Sequence, residues 1–228
     1  MNYLVIGAGS GIGQALKDSL LEKGHQVWAT YNQSFISSVE NLTSFQLDVS
    51  SSEINVDLPE VLDGFVYCPG AINLAPFHRL KSEDFLKDYE LQVLGAIKTL
   101  QHALPALKKG KGSIVFFSTV AVGTGFNYHS CVSSSKGAIE GLTRSLAAEF
   151  APNLRVNCIA PSLVDTPLAE KFINSEAKKE ANAKRHPLNR IGIISDIVQG
   201  TEFLLNKENS WITGQILKID GGISSLKI

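Results

Sequence analysis

Residues Met1 to Gly13 read MNYLVIGAGSGIG, an apolar run followed at once by four glycines, Gly7, Gly9, Gly11 and Gly13. Tyr3, Leu4, Val5 and Ile6 predict a strand buried on both faces, because neither side of the alternation is polar. Beyond the glycines, Ile12, Ala15, Leu16, Ser19 and Leu20 fall on one face of a helix. A strand, a glycine-dense turn and a helix in immediate succession make an anion site. Glycine lets the backbone approach a phosphate, and the unpaired N–H groups of the helix N-terminus point at it. This is the context of a dinucleotide-binding turn. The competing use of these glycines is a tight strand-to-helix turn that needs them for geometry alone.

The remaining composition fits an enzyme-sized α/β domain. The chain has 228 residues, with 21 Lys and Arg against 22 Asp and Glu, a net charge of −1. Such a balance generates no field for nucleic acid or an anionic membrane, and no basic run occurs. The apolar start is short and lacks a basic flank, which speaks against a signal peptide or a membrane span. Cys68, Cys131 and Cys158 are odd in number and far apart. They fit reduced thiols in a cytoplasmic protein better than a disulfide framework or a zinc site, and no metal is expected.

Strand and helix patterns then alternate along the chain. Gln26–Thr30, Ser44–Leu47, Gly64–Cys68, Ser113–Phe117, Arg155–Ile159 and Gln215–Ile219 read as further strands. Ser82–Lys109, Ser133–Ala151 and Asp196–Leu205 read as helices, and Thr166–Lys184 as a mobile, charged helical segment. Ser50–Glu60 is polar and too short for a full crossover helix. Such alternation predicts a doubly wound parallel α/β sheet with helices on both faces, in a single domain over 1–228.

From end to end these stretches resemble the short-chain dehydrogenase/reductase family. GAGSGIG matches its cofactor turn (Gly7, Gly9, Ser10, Gly11, Ile12 and Gly13), with Ile6 where a threonine is usual. Asp48-Val49 matches the pair that contacts adenine, Lys136-Gly137-Ala138 opens the family's long helix, and WITGQILKIDGG (Trp211–Gly222) matches its C-terminal segment. RVNCIAPSLVDTP (Arg155–Pro167) resembles the cofactor-side strand and loop, which assigns Pro161, Val164 and Thr166 to the cofactor. Tyr31 and Asn32 end the second strand, where a dinucleotide's ribose lies, and Gly70 keeps the last position of the family's Asn-Asn-Ala-Gly. The resemblance implies a Rossmann fold of about seven strands binding NAD or NADP. With no acidic residue after the second strand, NADP is favoured. It further implies a small-molecule substrate and a homodimer or homotetramer packed through the two long helices.

The family moves the proton with a tyrosine four residues before the lysine, aided by a serine and an asparagine. Here Lys136 is present, but Val132 stands in the tyrosine position, Thr119 in that of the serine and Gln92 in that of the asparagine. Tyr67-Cys68-Pro69 replaces Asn-Asn-Ala, and Ser162 replaces a glycine. Valine cannot carry a proton, so the candidate catalytic set is Lys136, Thr119 and Tyr128, with His129, Ser130 or water as other proton sources. Tyr128 as a loop aromatic, Thr119 as a strand-end cap and Asp48 as an ordinary turn residue are the competing readings. Cys131 reads as a small buried thiol. The expected function is an NAD(P)-dependent oxidoreductase acting on a carbonyl or alcohol. Val132 and Gln92 favour its rival, a nucleotide-binding sensor or scaffold without turnover. A lyase- or isomerase-like use of the same pocket is a third reading.

Overall fold

Successive residues of β1 (Asn2–Ile6) go to opposite layers of the core, as the two-residue period of a strand requires. Tyr3 and Val5 join Val66, Val115 and Ile159 on one face, and Leu4 and Ile6 join Phe65, Phe116 and Ile114 on the other. Both faces are therefore covered, which is why the strand is apolar throughout. The structure is a computed structural model describing residues 1–227.

Seven strands form one parallel sheet: β1, β2 (Gln26–Tyr31), β3 (Leu42–Gln46), β4 (Gly64–Tyr67), β5 (Ser113–Phe117), β6 (Arg155–Pro161) and β7 (Ile216–Ile219). Their spatial order is β3-β2-β1-β4-β5-β6-β7, every neighbouring pair parallel. The order reverses about β1, where β2 leaves to one side and β4 to the other. A crevice at the carboxyl ends of β1 and β4 is the ligand position of such a sheet. The helices are α1 (Gly11–Glu22), α2 (Ser82–Tyr89), α3 (Gly95–Gly110), α4 (Ala121–Thr124), α5 (Ser130–Phe150), α6 (Glu170–Ile173), α7 (Glu176–Ala183) and α8 (Ile194–Leu205). α1 and α8 pack on one face, while α3 and α5 pack on the other. No helix among the described residues is long and apolar enough to cross a membrane.

The doubly wound parallel sheet is as the sequence predicts, and the differences are local. The helix expected over Ser82–Lys109 is interrupted by a π-helical turn, Glu90–Leu94, before α3. There Gly95 lies against Tyr67 and Val49, and a Cβ on it would sit 2.4 Å from the Tyr67 hydroxyl. The second long helix starts at Ser130, three residues before the expected Ser133, so Cys131 and Val132 are helical. The charged segment over 166–184 divides into a 3₁₀ turn at Pro167–Ala169 and the short α6 and α7. Residues 50–60 carry no helix and reach β4 by packing Ile54, Val56 and Leu58 against the sheet.

Candidate functional site

The glycine turn sits at the carboxyl end of β1. Gly7 and Gly11 have φ of +78° and +55°, a left-handed backbone that side chains resist. Gly13 is needed for another reason: a Cβ there would lie 2.3 Å from the Gly7 carbonyl oxygen. Helix α1 thus begins directly over the turn. Thr30 holds the turn from β2, its Oγ1 accepting from the Gly7 N–H at 3.0 Å and its carbonyl from Ala8 N–H at 2.7 Å. Ser10 caps α1 with extended backbone and makes no side-chain capping bond, leaving the first N–H groups of the helix available to a ligand. The turn can therefore receive a pyrophosphate.

Farther along this edge, the residues proposed for the adenosine half are placed less simply. Tyr31 ends β2 and stacks edge-on against Phe35, while the Asn32 carbonyl accepts from Gln46. The Asp48 carboxylate is engaged by Ser50, Oδ1 accepting from both its N–H and its hydroxyl, which holds the carboxyl below the usual range. Val49 is buried against Gly95. Asp48 thus organises the local turn through Ser50, and Val49 contributes a core side chain.

A cavity of about 520 Å³ opens beside the turn, lined by Ile12, Gly70, Thr119, Val132, Lys136 and Thr166 among others. Pro161 and Val164 line it too, whereas Tyr31, Asn32, Asp48 and Val49 lie outside it. Lys136 enters from the buried face of α5, and burial holds its ammonium down at about 8, partly offset by Cys158, Asp88 and Cys68. Gln92 comes from the π-helical turn, fully buried, donating from Nε2 to Asp88 Oδ2 at 2.7 Å. Gly70 faces the same corner, where a Cβ on it would lie in ordinary contact with Gln92 Oε1 at 3.5 Å and Lys136 Nζ at 3.7 Å. Asp88 Oδ1 and Gln92 Oε1, on the bonded Gln92–Asp88 pair, are buried without a hydrogen bond among the described residues. Orphaned polar atoms of this kind suit a water or ligand. Thr119 Oγ1 accepts from the Ala121 N–H at 3.3 Å, which caps the strand end and still leaves its own proton to donate into the cavity.

Tyr128 is not brought to this constellation. It has φ of +70°, is 58% exposed and does not line the cavity. It sits in the turn before α5, outside the helix that carries Val132 and Lys136. Its neighbour His129 does line the cavity, with Nδ1 against the Asn127 carbonyl at 2.8 Å and its ring edge-on to Phe126. Tyr128→Phe is therefore expected to leave kcat/KM unchanged in a steady-state assay of cofactor oxidation. Cys131 is buried, and burial together with Asp88 and Asp84 pushes its thiol up to about 11, far from a thiolate nucleophile.

Two features escaped the sequence reading. Ser162 Oγ is 2.8 Å from Nε2 of the buried His186, whose Nδ1 lies 2.8 Å from the Asn182 carbonyl. A carbonyl only accepts, so Nδ1 carries a proton toward Asn182, and Nε2 shares a hydrogen bond with the Ser162 hydroxyl. This pair ties the segment over 167–186 to the end of β6. Lys171, Lys178 and Arg185 of the same segment also line the cavity. The departure from glycine at Ser162 is the only signal for the first, and nothing in local spacing marks the second.

Comparison with known proteins finds relatives over nearly the whole chain. Residues 7–224 match the family model described as "Enoyl-(Acyl carrier protein) reductase". The chain is 35% identical to "Carbonyl reductase family member 4" of Danio rerio, covering 98% of each sequence. Among solved structures it is similar to "ElxO with NADP Bound", with a TM-score of 0.87 at 29% identity over 99% of each chain. It is likewise similar to "4-hydroxyisoleucine dehydrogenase complexed with NADH", with a TM-score of 0.88 at 26% identity over 99% of each chain.

Proposed function

The chain belongs to the short-chain dehydrogenase/reductase family and is an NAD(P)-dependent oxidoreductase acting on carbonyl or alcohol substrates; from that premise we propose how its altered site carries the reaction. The glycine turn (Gly7, Gly9, Ser10, Gly11, Ile12 and Gly13) and Thr166 hold the pyrophosphate, and Lys136 the nicotinamide ribose. Pro161, Val164 and Gly70 complete the nicotinamide side, and Tyr31, Asn32, Asp48 and Val49 the adenosine side. NADP is the favoured cofactor, because no carboxylate follows β2 to repel a 2′-phosphate.

When bound, the nicotinamide supplies or accepts the hydride. Thr119 donates a hydrogen bond to the substrate oxygen and so orients it. Lys136 gives the proton to the alkoxide, taking the part that Val132 cannot. An ordinary lysine is a poor acid near neutrality, and one brought to about 8 is close to the pKa that proton transfer favours. Gln92, fixed by Asp88, presents its free carbonyl oxygen to the same corner as the amine. The observation that carries this reading is the buried Lys136 amine in a cavity where neither residue 132 nor Tyr128 offers an acid.

Val132 also favours a second reading, a nucleotide-binding protein without turnover. Thermal unfolding with NADPH and with NADH opens the test that separates them. Cofactor at about a hundred times its Kd is expected to add roughly 2.7 kcal/mol of stability, more readily with NADPH. A shift accompanied by oxidation of the cofactor with carbonyl substrates supports the enzyme. A shift with no turnover over a broad carbonyl screen supports the second reading, and no shift sinks the cofactor site itself.

A homo-oligomer through the two long helices is part of the proposal. Leu86, Tyr89 and Leu94 are exposed along α2 and the π-helical turn, leaving an apolar stripe on the helix that would be covered. A reducing, cytoplasmic setting accords with three free cysteines, none disulfide-bonded.

A further inference from the structure

The segment that covers the cavity presents charge of one sign to it. Residues 170–185 include three glutamates, Glu170, Glu176 and Glu180, and five cations, Lys171, Lys178, Lys179, Lys184 and Arg185. Lys179 pairs with Asp165 at 3.0 Å and Lys184 with Glu180 at 2.7 Å, and neither lines the cavity. Lys171, Lys178 and Arg185 do line it, and among the described residues none of the three is ion-paired.

Their donors go to neutral groups instead. Lys171 Nζ donates to the Ile72 carbonyl at 2.7 Å, and Lys178 Nζ to Asn174 Oδ1 at 2.8 Å. Arg185 donates to Asn182 Oδ1 at 3.4 Å, with its guanidinium 5.5 Å from the centroid of the Phe126 ring. The amines are thus held in place while their charge stays uncompensated. No aspartate or glutamate lines the cavity among the described residues, although the chain as a whole carries 22 acids against 21 Lys and Arg. Elsewhere the wall is largely apolar, with Ile72, Leu74, Phe126 and Phe172. A low-dielectric cleft lined by one sign of charge concentrates the field on whatever enters it.

We propose that Lys171, Lys178 and Arg185 form a subsite for an anionic group, a carboxylate or phosphate, carried by the carbonyl or alcohol substrate at the far end of an apolar spacer. This rests on the oxidoreductase reading above. The anion gains charge-assisted hydrogen bonds from the two ammonium groups and the planar guanidinium fork. The spacer lies on the apolar wall, and the reacting oxygen reaches Thr119 and Lys136. The pairing on the outer side of the segment, Lys179 with Asp165 and Lys184 with Glu180, keeps those cations from competing for the ligand.

The test uses ω-oxo carboxylates of graded chain length, each with its neutral methyl ester, and long-chain oxoalkyl phosphates as a second source of the anion. Binding is measured by calorimetry on the NADPH-saturated protein at low and high salt, and turnover by NADPH oxidation. At least one acid or phosphate is expected to bind about tenfold or more tightly than its neutral counterpart, the preference shrinking in high salt. The triple variant K171A/K178A/R185A should lose that preference. The charge-conserving K171R/K178R/R185K and the outer control K179A/K184A should keep it. Esters binding as tightly as acids, no binding of any probe, or a preference that survives the alanine triple would each overturn the subsite. So would a triple variant whose defect lies in NADPH affinity, which would assign these cations to the cofactor. Selective anion binding without any NADPH oxidation would leave the subsite standing and count against the oxidoreductase reading.

Discussion

Lys136→Met is expected to lower carbonyl reduction about 10²–10⁴-fold at saturating cofactor, the range that a positioned proton donor contributes. The wild-type rate should fall as pH rises through about 8, because reduction needs the protonated amine and burial places its titration there. Oxidation of the alcohol should show the opposite limb, rising through the same range. Both limbs should vanish in the methionine variant, and a pH–rate profile reads them directly. If the limb near 8 persists in Lys136→Met, a group other than this amine holds the proton. Stability provides a second check on the same amine. Its folded value is lowered from 10.5 to about 8, so the unfolded chain binds more protons between these values and stability rises with pH across that window. Thermal melts of Lys136→Met should lack this rise. Methionine keeps the apolar stem, so the variant is expected to melt no lower than the wild type at neutral pH.

The second large effect runs the other way. Val132→Tyr should raise carbonyl reduction about 10²-fold, since a phenol one turn before Lys136 would share its face of α5. Val132 is 5% exposed and borders the cavity of about 520 Å³, so the larger ring can extend into open space instead of the packed core. The neighbouring ammonium would stabilise the phenolate and bring the phenol's titration toward neutrality. Steady-state kinetics with a panel of carbonyls, beside calorimetry of NADPH binding, measures the outcome. A gain with unchanged cofactor affinity means that only the proton donor is missing from the catalytic machinery. No gain with cofactor still bound means that Thr119 and Lys136 do not hold a reacting carbonyl, and the non-catalytic reading gains the ground.

The Tyr128 and Lys171 positions mark the divide between what spacing can and cannot convey. A four-residue interval to Val132 places two side chains together only if the helix extends over both. Here α5 starts at Ser130, and the left-handed backbone at Tyr128 turns its ring to solvent. Tyr128 is thus the loop aromatic that the sequence also offered. Gln92 shows the opposite case: its place in ELQVLGA is readable, yet its bond to Asp88 depends on the π-helical turn. That turn sits beside the close contact of Gly95 with Tyr67, a residue on a different strand.

The amino-acid sequence by itself determined the strand–glycine–helix opening, the seven strands, and the one-turn spacing of Val132 and Lys136 on α5. These follow from periodicity and from glycines at positions no other residue can take, and both act over a few residues. Tertiary structure alone decided which cations face the cavity and which pair outward. It also joined Ser162 to His186, 24 residues away, and set the titration of Lys136 by burying it. Those properties depend on exclusion of water and on chain segments meeting from different elements. Neither is encoded in the spacing of any one stretch.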